Sequence, residues 1–280
     1  MIKLKKTSLH KLSRREVQNL IPQRLTTANK SHGGKCLIIA GSEGMYGAAV
    51  LAAKSAARIG AGYVYLAVDA QKFNSLKNPD FLLQDIKNKI NFTSFSSIGF
   101  GPGLGQSLKA LVILKKLIKS TAKKVVVDAD ALNLMAQYQL FPLPPSWIVT
   151  PHEGELARLL NRSSAQIKKD RVGAAKEAHK VLNCTVVLKG FKTLIISNKK
   201  IDVCPVGNKS LAKAGTGDVL TGMISGLLSQ NLNPRDAAVL AVYLHGAIAD
   251  HWVEKKDYLS LMASDVVENI PEILFQLRQK

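Results

Sequence analysis

Six short apolar runs divide this chain, at residues 35–40, 63–68, 97–100, 124–128, 147–150 and 185–189. A continuous run of this length suits a strand buried on both faces, as in a parallel sheet. Helical patterns lie between and after the runs. Residues 48–59 are alanine-rich, and residues 107–119 carry Leu108, Leu111, Val112, Leu114 and Ile118. Further helices are expected at 151–160, over 164–182 as one long helix, from Gly217 onward, at 234–250 and at 263–277. Residues 193–196 and 200–204 have no helix between them and read as hairpin-linked edge strands. The alternation predicts an α/β fold over residues 1–280, one domain with a mostly parallel sheet and helices on both faces. Residues 1–30 form an entry arm. In it Ser13-Arg14-Arg15-Glu16 matches a capping box for a short helix to about Leu20, ended by Pro22.

Ligands of an open parallel sheet bind outside the carboxyl ends of its strands. The glycine-rich or polar clusters at 41–47, 101–105, 128–133, 151–155 and 189–193 all follow strand runs, so they converge on one rim. The net charge of +19 favours anionic ligands. The basic residues are dispersed and aromatics make up only 6%, which argues against a nucleic-acid-binding surface. No stretch is long and apolar enough to span a bilayer, and no acid-free basic start leads into an export core. Cys36, Cys184 and Cys204 lie in or beside apolar runs with no paired spacing, as expected of buried thiols in a reducing compartment, so a cytoplasmic location is expected. GxxxxGK[ST], GxSxG and HExxH motifs are absent, Gly41, Gly44 and Gly47 do not match GxGxxG, and no metal-ligand cluster is visible.

One turn stands out. Gly215-Thr216-Gly217-Asp218 leads into a helix whose apolar positions, Val219, Met223 and Leu227 with Leu220, Ile224 and Leu228, fall on one face. Thr216 is the expected N-cap. Free N–H groups at such a helix start attract phosphate, and glycines allow its close approach. Asp218 is either an ordinary first-turn acid complementing the helix dipole or a base beside a bound phosphate. Elsewhere His152, opening a helix at a strand end, is placed to donate to a ligand. His245, among apolar residues, reads as a satisfied core or surface histidine. Asp128 is a loop cap, an orienting group or a water-mediated magnesium ligand, and residues 189–193 are a turn or a nucleotide-phosphate contact.

Ala40-Gly41-Ser42 with Gly47-Ala48-Ala49, Gly101-Pro102-Gly103, Val127-Asp128-Ala129-Asp130-Ala131-Leu132, Thr150-Pro151-His152-Glu153-Gly154-Glu155, Leu188-Lys189-Gly190 with Thr193, and Ala212-Lys213-Ala214-Gly215-Thr216-Gly217-Asp218 occur in this order. The ordered set resembles the ADP-dependent NAD(P)H-hydrate dehydratases, ribokinase-like repair enzymes, over about residues 22–275. Ala214 and His32-Gly33-Gly34 depart from the family's common Lys-Gly-Gly-Thr-Gly-Asp and His-Lys-Gly patterns. The resemblance implies a ribokinase-like fold and dehydration of NADH or NADPH hydrate, driven by ADP (or ATP) with Mg2+. It implies that Asp218, Gly215, Thr216 and Gly217 serve catalysis, and that Ala48, Gly103, His152 and Asp218 contact the hydrate. Lys189, Gly190, Phe191, Lys192, Thr193 and Gly217 would contact the nucleotide. It also implies a homotetramer, and the short arm suggests a dehydratase without the family's fused epimerase domain. A ribokinase-like kinase for a small alcohol or vitamin precursor, or a nucleotide sensor without turnover, would use the same turn.

Overall fold

The computed structural model describes residues 9–27, 29–68, 80–198 and 200–279; residues 1–8 of the expected arm lie outside the described residues. One sheet contains β1 (Leu9–Lys11), β2 (Lys35–Ile39), β3 (Tyr63–Val68), β4 (Leu82–Asp85), β5 (Ser97–Phe100), β6 (Val125–Val127), β7 (Ile148–Val149), β8 (Thr185–Leu188), β9 (Leu194–Ser197) and β10 (Lys200–Val203). Their spatial order is β1-β10-β9-β8-β7-β6-β5-β2-β3-β4. Only β9 runs against its neighbours; the other pairings are parallel. The six runs of the sequence all become strands.

The helices are α1 (Arg14–Gln18), α2 (Tyr46–Arg58), α3 (Leu108–Lys119), α4 (Asp130–Tyr138), α5 (Glu153–Leu159), α6 (Ser164–Lys169), α7 (Arg171–Leu182), α8 (Thr216–Ser229), α9 (Pro234–Val253) and α10 (Ala263–Arg278). Alternate strand residues face opposite layers. Val125, Val127, Val149 and Val186 pack with α3, α4, α5 and α7. Val126, Ile148, Val187 and Ile195 pack with α8, α9 and α10.

Four expectations need correction. The hairpin β9–β10 is not the sheet edge, because β1 pairs in parallel with β10 and covers it. The buried Asp202 of β10 takes a two-pronged Arg235 contact at 2.7 Å and lies 2.8 Å from His10 of β1, so the arm supplies a strand to the sheet. The long helix over 164–182 breaks at Asp170, whose carboxylate accepts the Gly173 N–H at 2.8 Å and caps a new helix. Residues 128–133, read as punctuation, run into α4, which forms because Ala131, Leu132, Leu134 and Met135 bury its inner face.

Finally, α8 is buried on all sides and not on one face. It packs against α2, α9 and α10 and onto β2, β5 and β6. Thr221, Gly222, Ser225 and Gly226 are buried with the six apolar residues. A Cβ at Gly222 would lie 2.0 Å from the Ala52 carbonyl oxygen, and one at Gly226 would lie 2.7 Å from the Ala56 carbonyl oxygen. These glycines let α8 lie directly on the alanine face of α2. Gly222→Ala should therefore destabilise the protein by about 1–3 kcal/mol through overpacking, although alanine is the better helix former. Gly47→Ala, in a helix with nothing within 4 Å of the added Cβ, should be neutral or stabilising by up to about 1 kcal/mol. Urea unfolding of both variants checks the contrast; equal effects would refute it.

Candidate active site

The strand order reverses at β2, which lies between β3 and β5. Chain connections leave such a point toward opposite faces and open a crevice at the carboxyl ends. Here the two glycine loops meet. The Gly41 N–H donates to the Pro102 carbonyl at 2.8 Å, and Ser42 Oγ donates to the Gly103 carbonyl at 2.9 Å. Gly103 has φ +56, and a Cβ there would lie 2.9 Å from the Ala48 Cβ, so Ala48 and Gly103 face each other closely. The Gly105 N–H donates to Asp130 Oδ2 at 2.9 Å.

Asp128 ends β6 and is fully buried. Its Oδ1 accepts from Lys189 Nζ at 2.7 Å and its Oδ2 from Thr221 Oγ1 at 2.7 Å. Lys189 Nζ also lies 3.7 Å from Glu155 Oε2, which accepts the His152 N–H at 2.7 Å. Burial works against the Lys189 ammonium, but Asp128 and Glu155 outweigh it and hold its pKa above the usual lysine value. Asp128 is thus an orienting group that is already satisfied.

The start of α8 faces this network. Gly215, at φ +90, is the N-cap in place of the expected Thr216. Thr216 lies inside the first turn, and its hydroxyl is spent on the Leu211 and Lys213 carbonyls at 2.8 and 2.9 Å. Its N–H points to the Lys213 carbonyl at 3.5 Å. The N–H groups of Gly217 and Asp218 have no acceptor among the described residues. A Cβ on Gly217 would lie 3.5 Å from Lys189 Nζ.

Asp218 is half-buried, and its carboxylate makes no hydrogen bond or ion pair among the described residues. Burial, then the charge of Asp128 and more weakly those of Asp130 and Glu155, push its pKa up to about 7, against the pull of Lys189. Helices α2 and α8 run in parallel, Gly222 against Ala52 and Gly226 against Ala56. One turn earlier, the same faces bring Asp218 alongside Ala48.

A cavity of about 300 Å3 opens beside the α8 start. Lys189, Gly190, Phe191, Lys192 and Thr193 line it together with Thr216 and Gly217, so the predicted nucleotide group converges. Gly190 (φ +131) and Lys192 (φ +53) turn this loop where it lines the cavity. Val206, Leu211, Leu220 and Val242 supply an apolar wall suited to a purine. His245 also lines it. Burial lowers its pKa to about 4, so the ring is neutral and Nε2 donates to the Thr216 carbonyl at 3.0 Å. His245 is a satisfied core histidine, as expected, yet it also props the α8 start. His152 lines a neighbouring cavity of about 420 Å3 with Lys189, Gly190 and Phe191. Its Nδ1 accepts the Gly154 N–H at 2.9 Å and caps α5, and its Nε2, on a half-exposed side chain, lies 3.6 Å from Glu155 Oε1.

Sequence reasoning assigned no role to Thr221, Glu155 or Asp250. Asp250 accepts from the Gly207 N–H at 2.9 Å and from Asn208 Nδ2 at 2.8 Å, and so shapes the cavity's far wall. The available signal was polarity inside otherwise apolar helices. No group of three or more His, Cys, Asp or Glu among the described residues suits a metal ion. Among the described residues Asp128 and Glu155 are already engaged by Lys189 and an N–H group, so any Mg2+ that entered with a nucleotide would depend on its phosphate oxygens.

The raised pKa has a stability consequence. The folded state holds the Asp218 proton more tightly than the unfolded state, so this term is favourable below about pH 4 and is lost as pH rises through about 7. Asp218→Asn should melt a few degrees above the unsubstituted protein at pH 8, and the gap should close near pH 4. Thermal melts across that range check the sign; a gap independent of pH would refute it.

Residues 36–272 match the family model described as NAD(P)H-hydrate dehydratase. The chain is 37% identical over 236 residues to the ADP-dependent (S)-NAD(P)H-hydrate dehydratase of Neisseria meningitidis serogroup B, covering 81% of this chain and 80% of that one. It is 36% identical over 264 residues to the bifunctional NAD(P)H-hydrate repair enzyme of Coxiella burnetii, covering 90% of this chain and 52% of that one. The chain therefore spans about half the length of the bifunctional relatives it matches. The crystal structure of the ADP/ATP-dependent NAD(P)H-hydrate dehydratase from Bacillus subtilis, co-crystallised with ATP/Mg2+, superposes with a TM-score of 0.86 at 30% identity, covering 96% of this chain and 99% of that one. The fold is ribokinase-like, and the chain belongs to the NAD(P)H-hydrate dehydratase family.

Proposed function

We propose that this chain is an ADP-dependent (S)-NAD(P)H-hydrate dehydratase, which returns the 6-hydroxy form of NADH or NADPH to the normal cofactor while ADP becomes AMP and phosphate. The observation that carries the reading is Asp218: a carboxylate without a partner among the described residues, its pKa pushed up to about 7, on the first turn of a helix beside a cavity fit for a nucleotide. The adenine nucleotide fills that cavity under the 189–193 loop. Its terminal phosphate lies at the Gly215, Gly217 and Asp218 N–H groups, with Lys189 behind them. Thr216 contributes through its hydroxyl, which holds the turn. The hydrated ring lies against Ala48 and Gly103, and His152 contacts the substrate at its rim.

Asp218 takes the proton of the ring hydroxyl. The oxygen attacks the β-phosphorus of ADP, the bond to the bridging oxygen breaks, and AMP leaves with that oxygen. The open N–H groups stabilise the charge on the transferring group. Phosphate then leaves the ring carbon with its bonding electrons, and the adjacent carbon loses a proton to restore the double bond. ATP would enter by the same route with its γ-phosphate, and Mg2+ would arrive on the nucleotide.

Turnover of NADH hydrate with ADP or ATP, followed by recovery of NADH absorbance together with phosphate release, tests the reading. A stable phosphoester product would point instead to a small-molecule kinase. Asp218→Asn should bind ADP normally and lose roughly 10²–10⁴ in kcat. In the unsubstituted enzyme kcat/KM should rise with pH and level off above about 7. Near-normal turnover by the variant would overturn the role of the base. Gly217→Val should weaken ADP binding at least tenfold by thrusting a side chain between phosphate and Lys189; unchanged affinity in calorimetry would refute the phosphate placement.

A further inference from the structure

Two cavities on the face of the crevice away from the nucleotide loop have no role in the reading above. One, of about 350 Å3, begins at Gly41, Ser42 and Glu43, beside Ala48 and Gly103, and ends at Ile86, Lys109 and Ile113. The other, of about 730 Å3, begins at those same three residues and continues outward. Their shared walls at Ile86, Lys109 and Ile113 set the two end to end, as a trough from the candidate hydrate site outward. The floor of the outer part is apolar, with Ile90, Phe92 and Val112, and its rim carries Lys87, Lys89, Lys109 and Lys116. No aspartate or glutamate lines this outer part among the described residues. The alternative exit, the cavity of about 420 Å3 by His152, is smaller than the outer part and has Glu153 in its wall.

We propose that this trough seats the adenosine half of the hydrated dinucleotide, and that its lysine rim makes the enzyme prefer the 2′-phosphorylated substrate, NADPH hydrate, over NADH hydrate. This rests on the dehydratase reading. A dinucleotide whose ring lies at Ala48 and Gly103 cannot extend toward the 189–193 loop while ADP is there. The trough is the larger remaining path, its floor accepts a purine, and its rim carries the charge that an extra phosphate dianion requires. Residues on α3 and on the loop after β4 would then determine specificity without touching the reacting atoms.

The test is a triple variant, Lys89→Gln with Lys109→Gln and Lys116→Gln, checked for an unchanged melting temperature. The unsubstituted enzyme should favour NADPH hydrate in kcat/KM. The variant should lose about tenfold of that preference through KM, with kcat and the ADP KM unchanged, because several exposed ion contacts each contribute little. Raised salt should erode the preference in the same direction. Equal losses for both hydrates, an unchanged ratio, or a shift caused instead by Lys168→Gln would overturn the proposal. If neither hydrate is turned over, the dehydratase reading fails rather than this one. Calorimetry on ADP-saturated protein then decides the trough itself: adenosine 2′,5′-bisphosphate should bind about tenfold tighter than AMP, and the triple variant should abolish the difference. No difference in the unsubstituted protein would refute the site.

Discussion

Lys189 leaves the end of β8 and Asp128 the end of β6, and their 2.7 Å contact spans the intervening strand β7. Thr221 holds the second carboxylate oxygen, so the pair also fixes α8 against the sheet. Removing one member of such a buried pair strands the other and costs about 3–5 kcal/mol, so the contact constrains geometry more than it adds stability. The pair also supplies the opposing influences that place Asp218 near neutrality. Asp128 repels its charge and Lys189 attracts it, while burial outweighs both.

That arrangement needs α8 to lie deep. A helix start is a phosphate-binding feature only if its N–H groups reach the crevice. Here Gly222 and Gly226 bring the α8 backbone against α2, while Ser225 meets the sheet through its carbonyl, which accepts Ser97 Oγ at 2.7 Å. His245 and the Thr216 hydroxyl hold the first turn from behind. The small residues of α8 therefore serve function through packing: they bring the first turn of the helix to the switch point of the sheet, where the Gly41 and Gly101 loops also arrive.

The strand runs and most helices were legible because a buried parallel strand needs a continuous apolar run, which is visible without knowing its neighbours. The failures have a common cause. Asp170 breaks a helix because its side chain finds the Gly173 N–H, and residues 130–138 form one because their apolar positions meet a core. Residues 9–11 become a strand because Asp202 and β10 lie beside them. Each outcome depends on a partner far away or on a local competition that periodicity does not record.

The same boundary runs through the site. By sequence alone, Gly215 to Asp218 is a turn before a helix, with a carboxylate of ambiguous purpose. The order of short motifs makes the family resemblance, because spacing along a β-α-β chain determines which loops share a rim. Tertiary structure decided that Gly215 and not Thr216 caps the helix, and that His245 supports it. It also set Asp218 near pH 7, since a pKa depends on burial and on charges that Asp128, Lys189, Asp130 and Glu155 bring from other loops. Sequence determined which groups are present and in what order; folding determined which are satisfied, and so left Asp218 the carboxylate of this network without a partner.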